Sequence, residues 1–307
     1  MDTFNCLICY HEKQGPVYEV KEMMFGTGER FSYTQCPRCG TIQQLSPPAH
    51  MGRYYPVAYY SFSRLHLSTL PVRWMKNFRF FLYRTLGLSL FRPVYGNWLK
   101  QLQAGKNDRI ADIGCGSGQL LYEMHACGYH HLSGFDPFLE DSVRVARGLD
   151  LFKMDLYQIK EAFDVIMVHH AFEHMKDPDS AFAQLAGLLR PAGRLLIRTP
   201  ISEGEAWTLF REYWVQLDAP RHYFIPSVGA MTLLARRHGL ELFRTEFDST
   251  SFQFWASRRY QEGKSLSGID PAQLPPAEQM QADERKARSL NKVGKGDQAA
   301  FYFRKPG

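Results

Sequence analysis

The sequence predicts an α/β fold: a mostly parallel sheet with helices on both faces, preceded by a small cysteine-paired module. Three observations carry this. From residue 108 onward, short apolar runs alternate with helical patterns. Before residue 46 the chain is short-ranged and turn-rich, with its cysteines in two Cys-x-x-Cys pairs. Between the two, Ser46-Pro47-Pro48 breaks the chain.

At 307 residues the chain is long enough for a medium domain and a small module. Hydrophobic residues make up 45% and charged residues 22%, an ordinary globular balance. The N-terminus, MDTFNCLICYHEK, has no basic region followed by an apolar core, so no secretory signal is expected. No apolar run approaches the length of about 18 residues that would suggest a membrane span. The expected compartment is the cytoplasm. Thiols stay reduced there, so paired cysteines point to metal and not to disulfides. The net charge of +6 hides an asymmetry. Residues 30–107 contain no Asp or Glu and carry +11, which leaves −5 for the rest. A basic front end suggests an anionic partner there.

The elements follow in order. Residues 72–86 read as a helix, with Trp74, Phe78, Phe81, Leu82 and Leu86 on one face and Arg73, Lys76 and Arg84 away from it. The aromatic face is expected to pack on the body of the protein. RIADIG reads as a buried strand, GQLLYEMHACG as a helix ending at Gly128, and HLSGFD as a second strand. LEDSVRVARG reads as a helix closed by Gly148. DVIMVHH is a strand, DPDSAFAQLAGLLRPAG a helix with an acidic start and a Pro-Ala-Gly stop, and GRLLIRTP a strand. ELFRTEF and the final AAFYFRK are strands. The segment of about residues 261–296 between them is expected to be irregular, with at most a short helix near 283–289.

The chemistry concentrates in residues 110–136. In ADIGCGSGQLL, Asp112 ends a strand and Gly114, Gly116 and Gly118 follow at alternate positions. Such glycines let a backbone approach a ligand closely at the start of a helix with free N–H groups. A dinucleotide loop needs glycine at position 119, which is Gln119 here. Asp136, after the next strand, can accept hydrogen bonds from both hydroxyls of a ribose. Asp155, in KMDL, is placed to meet an adenine amine. With these residues the chain resembles the class I S-adenosylmethionine-dependent methyltransferase family over about residues 107–307. The resemblance implies a Rossmann-like seven-stranded sheet whose last strand runs antiparallel. It also implies S-adenosylmethionine as cofactor, lying across the C-terminal ends of the first strands.

Methyl transfer leaves the protein mainly to position the acceptor, with a general base where a proton must leave. VHHAFEHMKDP follows the fourth strand, and in related methyltransferases this region lines the donor cleft. His169 is expected beside the cofactor, and His170, Glu173 and His174 are catalytic candidates. His170 and His174 share a helical face. That pair is weighed as metal ligands; the preferred reading is that Glu173 and His174 brace the turn before Asp177-Pro178, with His170 nearest the transferred methyl. A second cluster, YWVQLDAPRHYFIP, adds His222 as a candidate base, and Tyr213, Asp218 and Arg221 as acceptor-binding residues. Arg221 paired with Asp218 in a packed loop is the structural alternative.

Cys6, Cys9, Cys36 and Cys39 form two knuckles separated by 26 residues, the donor set of a closed structural zinc site. Cys115 and Cys127 read as buried apolar residues. The expected layout is a zinc ribbon over 1–45, a basic aromatic helical linker over 46–106, and a methyltransferase domain over 107–307. The order of knuckles, RYYPVAYYSF, HHAFEHMKDP and YWVQLDAPRHYFIPS resembles zinc-ribbon methyltransferases of sugar, polysaccharide and natural-product pathways. That resemblance implies a small-molecule or glycan acceptor, anionic and nucleotide- or lipid-linked, with nucleic acid unexpected as a partner. Two alternatives stand beside it. One is an RNA methyltransferase that uses the zinc ribbon and the basic segment. The other is a cofactor-binding protein without turnover that meets a membrane surface through the basic aromatic helix.

Overall fold

The computed structural model describes residues 4–55, 65–93 and 95–307. The tyrosine-rich run at 53–62 falls outside these from residue 56 on. Three antiparallel strands open the chain: β1 (Val17–Lys21), β2 (Arg30–Gln35) and β3 (Ile42–Gln44). Cys6 and Cys9 precede β1, and Cys36 and Cys39 sit in the turn between β2 and β3. Helices α1 (Leu70–Leu86) and α2 (Gly96–Gln101) lead to the large sheet.

That sheet and its cover run in order: β4 (Ile110–Ile113), α3 (Gln119–Ala126), β5 (Leu132–Phe135), β6 (Val143–Ala146), β7 (Leu149–Phe152), β8 (Phe163–His169), α4 (Pro178–Leu188) and β9 (Leu189–Pro200). Then come α5 (Glu205–Phe210), β10 (Phe224–Ile225), α6 (Val228–Arg237), β11 (Glu241–Phe247), α7 (Phe252–Gln261), α8 (Ala277–Lys292) and β12 (Gln298–Arg304). The strand order is β11-β12-β9-β8-β4-β5-β7-β6. The strands from β9 to β7 are parallel, and β12 inserts antiparallel between β9 and β11. The expected α/β Rossmann-like fold with an antiparallel last strand is therefore present.

Successive residues of the central strands alternate between two cores, as a sheet covered on both faces requires. Ala111, Ile113, Ile166 and Val168 pack with Phe182, Leu185 and Met231 on one side. Ile110, Val165 and Met167 pack with Leu121, Met124, Leu99 and Phe80 on the other. A third core, around Tyr33, Trp207, Trp214 and Phe254, joins the N-terminal sheet to the body.

Three expectations are corrected. Residues 139–148 are not a helix: β6 folds back antiparallel on β7, giving eight strands where seven were expected. Val143 and Val145 favour a strand. Gly148 turns at φ +83°, where an added Cβ would meet the His130 carbonyl oxygen at 2.0 Å. The glycine read as a helix stop is the corner of a hairpin. The segment at 261–296 is not mainly irregular, because α8 runs for 16 residues. Its polar sequence is held by tertiary contacts that composition does not display: Ala287 is buried, and Asp283 pairs with Arg258 of α7. Helix α1 is turned the opposite way. Lys76 binds Glu123, Arg73 meets His125, and Arg84 donates to the Ala104 carbonyl and Tyr129. Trp74, Phe78, Phe81 and Leu86 face outward, and Phe80 alone is buried. No helix among the described residues is long and apolar enough to cross a membrane.

Candidate active site

The C-terminal ends of β4, β5, β7 and β8 open into a cleft of about 760 Å³. Asp112, Gly114, Gly116, Asp136, Asp155 and His169 line it. Gly114 has φ +72°, and a Cβ there would lie 2.4 Å from the Ala171 Cβ. Backbone curvature and close approach both require glycine at this position. Gly118 does not line the cleft; it is the N-cap residue of α3.

The acids are arranged differently from one another. Asp136 Oδ2 accepts from the Gly116 N–H at 2.9 Å, and Oδ1 from the Phe138 N–H at 2.9 Å. Two backbone donors hold this carboxylate while lone pairs remain for a diol. Asp155 caps the next turn by accepting from the Tyr157 N–H and stays exposed at the cleft edge. Asp112 is buried, and its Oδ1 has no hydrogen-bond partner. Burial, with the charge of Asp136 second, pushes its carboxyl up to about 8. An orphaned buried carboxylate oxygen at the cleft floor suits a ligand ammonium. These residues fit S-adenosylmethionine, which offers an ammonium, a ribose diol and an adenine.

His169 packs on Trp98 with ring centroids 4.4 Å apart. Burial, then the charge of Arg198, lowers it to about 3, so the ring is neutral. His170 adopts φ +48° and lines both this cleft and a second one of about 400 Å³. Arg198 donates to its Nε2, so Nδ1 carries the hydrogen and faces Glu173 Oε1 at 3.4 Å. That geometry leaves His170 no free lone pair and corrects its assignment as the base.

The second cleft is bounded by Met24, Phe252, Trp255 and Leu266 and by the polar side chains of Glu173, Gln216, Asp218, His222 and Gln298. His222 donates from Nδ1 to the Gln216 carbonyl at 2.7 Å, because a carbonyl only accepts. Its Nε2 keeps a lone pair. His174 likewise donates from Nδ1 to the Arg221 carbonyl at 3.0 Å. Burial and the neighbouring His222 lower His174 to about 4. Glu173 is wholly buried; burial alone would raise its pKa, but His170 holds it at about 2.

Arg221 does not meet an acceptor. It is fully buried and bonded to both oxygens of Asp218, to Glu22 at 3.0 Å and to the Tyr54 carbonyl. The packed-loop alternative is the correct reading. Asp218 lines the cleft with both oxygens already engaged, and Tyr213 lies outside both linings. Glu22, which directly follows β1, had no signal in the sequence. Arg198 had one, a charge near the end of the apolar strand GRLLIRTP. The N-terminal sheet braces this loop in two further ways: β10 pairs with β3, and the Tyr33 hydroxyl donates to the His222 carbonyl at 2.9 Å.

Cys6, Cys9, Cys36 and Cys39 converge, with all four sulfurs within 4.8 Å of one another. The Cys6–Cys39 and Cys9–Cys36 separations are 3.5 and 3.6 Å, too long for disulfides. A tetrahedral zinc site with Zn–S bonds of about 2.3 Å has sulfur edges of about 3.8 Å, so this donor set fits zinc.

A family model described as a methyltransferase domain matches residues 90–245, half of the chain. The curated relatives include the tRNA U34 carboxymethyltransferase of Citrifermentans bemidjiense, 27% identical over 62% of this chain and 64% of that protein. That of Klebsiella pneumoniae is 31% identical over 51% of this chain and 52% of that protein. The chain thus spans less than two thirds of the length of these relatives. Among solved structures, the S-adenosylmethionine-dependent methyltransferase from Mesorhizobium loti covers 69% of this chain and 98% of its own, at 16% identity and a TM-score of 0.46. The relatives' names carry an RNA acceptor, which overturns the expectation of a small-molecule or glycan acceptor with nucleic acid unexpected as a partner, and favours the RNA alternative. Neither of these relatives is named as a sugar or natural-product enzyme. With the cofactor cleft and the family match in agreement, the chain belongs to the methyltransferase domain family.

Proposed function

We propose that this protein methylates a base of an RNA, held in the cleft beside the cofactor. The observation that carries the reading is the pairing of two clefts through His170. One fits a nucleoside cofactor. The other has aromatic and aliphatic walls, with carboxylate, amide and imidazole groups among them. Enzymes that act on a base take it out of the stack, hold it between apolar side chains and read its edge by hydrogen bonds. Phe252 and Trp255 supply walls, and Gln216, Gln298 and His222 supply edge partners. The relatives named as tRNA U34 carboxymethyltransferases support an RNA acceptor. So do the exposed Arg30, Arg38, Arg79, Arg92, Lys100 and Lys106 of the acid-free segment, which suit a phosphate backbone.

S-adenosylmethionine supplies a methyl group already activated on a sulfonium sulfur. Asp112, Asp136 and Asp155 would hold its ammonium, ribose and adenine ends. His170, fixed by Arg198 and Glu173, forms the wall between donor and acceptor. His222 is better placed than His170 to take up a proton or a positive charge, since its Nε2 is not bonded to Arg198. Zinc held by Cys6, Cys9, Cys36 and Cys39 would stiffen the module that braces the His222 loop.

The test is transfer of label from methyl-labelled S-adenosylmethionine to unmodified tRNA transcripts, followed by nucleoside analysis. Label in a modified base is expected. Replacing Trp255 with Ala should lower transfer by about 1–3 kcal/mol of stacking, roughly 5- to 150-fold, with S-adenosylhomocysteine binding unchanged. Label that never enters RNA, across tRNA and ribosomal substrates, would end the reading.

A further inference from the structure

Three side chains at the boundary of the two clefts are more than an acid–base set. One ligand atom from each of Glu173, His174 and His222 lies within 4.8 Å of those of the other two. The imidazoles stand at 73° with centroids 4.6 Å apart. Both have spent Nδ1 on a backbone carbonyl, so Nε2 is the nitrogen left to each. A partner on the second nitrogen is what orients and tunes metal-bound histidines. Glu173 accepts from the Thr199 hydroxyl through Oε2, while the buried Oε1 meets the Nδ1 of His170 only at 3.4 Å and makes no hydrogen bond. A buried carboxylate beside the imidazoles of His174 and His222, with an oxygen that makes no hydrogen bond, suits a cation.

We propose that Glu173, His174 and His222 bind a first-row divalent cation, separate from the four-cysteine site. Two histidines and one carboxylate form a nitrogen–oxygen donor set, distinct in softness from four thiolates. Three protein ligands leave coordination positions for water or an acceptor oxygen. Asp218 is no rival ligand, since Arg221 holds both of its oxygens. The inference rests on these side chains and stands apart from the identity of the acceptor. It does change the role of His222, whose Nε2 becomes a ligand and not a proton acceptor.

The test is equilibrium dialysis of the zinc-loaded full chain against Co2+, with metal content by mass spectrometry and the cobalt spectrum recorded. The expected result is one retained cobalt per chain, with weak visible bands and none of the intense near-ultraviolet absorption that thiolate ligation gives. Glu173→Gln and His222→Gln should each weaken cobalt binding at least 10-fold. Melting temperatures with and without Co2+ give a second readout: cobalt should stabilise the wild type and not the variants. If Glu173→Gln fails to fold, His222→Gln still decides. No retained cobalt, a thiolate-type spectrum alone, or variants that bind as the wild type does would each overturn the proposal.

Discussion

Residues 112–136 bury charge, while residues 70–86 expose hydrocarbon. Asp112 and Asp136 are 3% and 8% exposed at the floor of the cofactor cleft. On α1, Trp74 is 73% exposed and stacks on Phe78, while Lys76 turns inward to Glu123. Each region inverts the usual placement of polar and apolar groups, for different reasons. In the first, backbone N–H groups hold Asp136, and one buried oxygen of Asp112 has no protein partner. In the second, the inward lysine and arginines have protein partners already, and the aromatic face is the side left over. Burial therefore separates a site from a surface only when the partners of the buried groups are counted.

The largest effect expected from this comparison lies on the helix. Phe80 is the buried side chain of α1, packed against Tyr83, Tyr95 and Tyr129. Phe80→Ala should destabilise the protein by about 3–5 kcal/mol in urea unfolding, the ordinary cost of an emptied aromatic site. A loss below about 1 kcal/mol would mean that α1 is not seated as described.

The next effect lies in the cleft. Gly114→Val adds positive-φ strain of about 1–3 kcal/mol and a contact with Ala171 that must be relieved at similar cost. Binding of S-adenosylhomocysteine, measured by calorimetry, should weaken by roughly 30-fold or more. Unchanged affinity would show that the loop carries no close-approach requirement.

The same contrast explains what was readable in the sequence. The cofactor loop was legible because its shape is written in residue type. Gly114 needs a backbone that only glycine adopts freely, Asp112 lies near the end of β4, and Asp136 directly follows β5. The sheet was legible from apolar runs bounded by turns. Helix α1 was half legible: periodicity gave two faces but not which one meets the body, because Glu123, His125 and Tyr129 are brought there by the fold. Residues 139–148 were misread because a hairpin corner and a helix stop both ask for a positive-φ glycine. Arg221 was misread because its partner Glu22 is remote in sequence. The acceptor was illegible, since apolar walls with scattered polar edges leave no spacing to recognise.

A smaller effect concerns pH. Burial lifts Asp112 to about 8, whereas an unfolded aspartate titrates near about 4. Between those values the native state keeps a proton that the unfolded state has lost. Without cofactor, this contribution to stability is complete below about pH 4 and disappears as pH rises through about 8. Ammonium binding needs the ionised carboxylate and so runs the other way. Affinity for S-adenosylhomocysteine should climb with pH up to about 8, by as much as about tenfold per unit, and then level off. Asp112→Asn should bind weakly with no such slope; a slope that survives the substitution would place the titrating group elsewhere.

The smallest expected effect sharpens the comparison most. Trp74 and Phe78 are large, apolar and solvent-facing, so Trp74→Ser and Phe78→Ser remove little buried area. Each should change unfolding free energy by less than about 0.5 kcal/mol, the usual range for surface positions away from special contacts. Cofactor affinity should stay as it is, because neither side chain lines the cleft. Measured beside Phe80→Ala on the same helix, these variants separate orientation from helix formation. All three changes leave the backbone pattern of α1 intact, but only the one at Phe80 empties a core. If Trp74→Ser were as damaging as Phe80→Ala, the aromatic face would be the packed one, and the ion pair between Lys76 and Glu123 would have to give way to it.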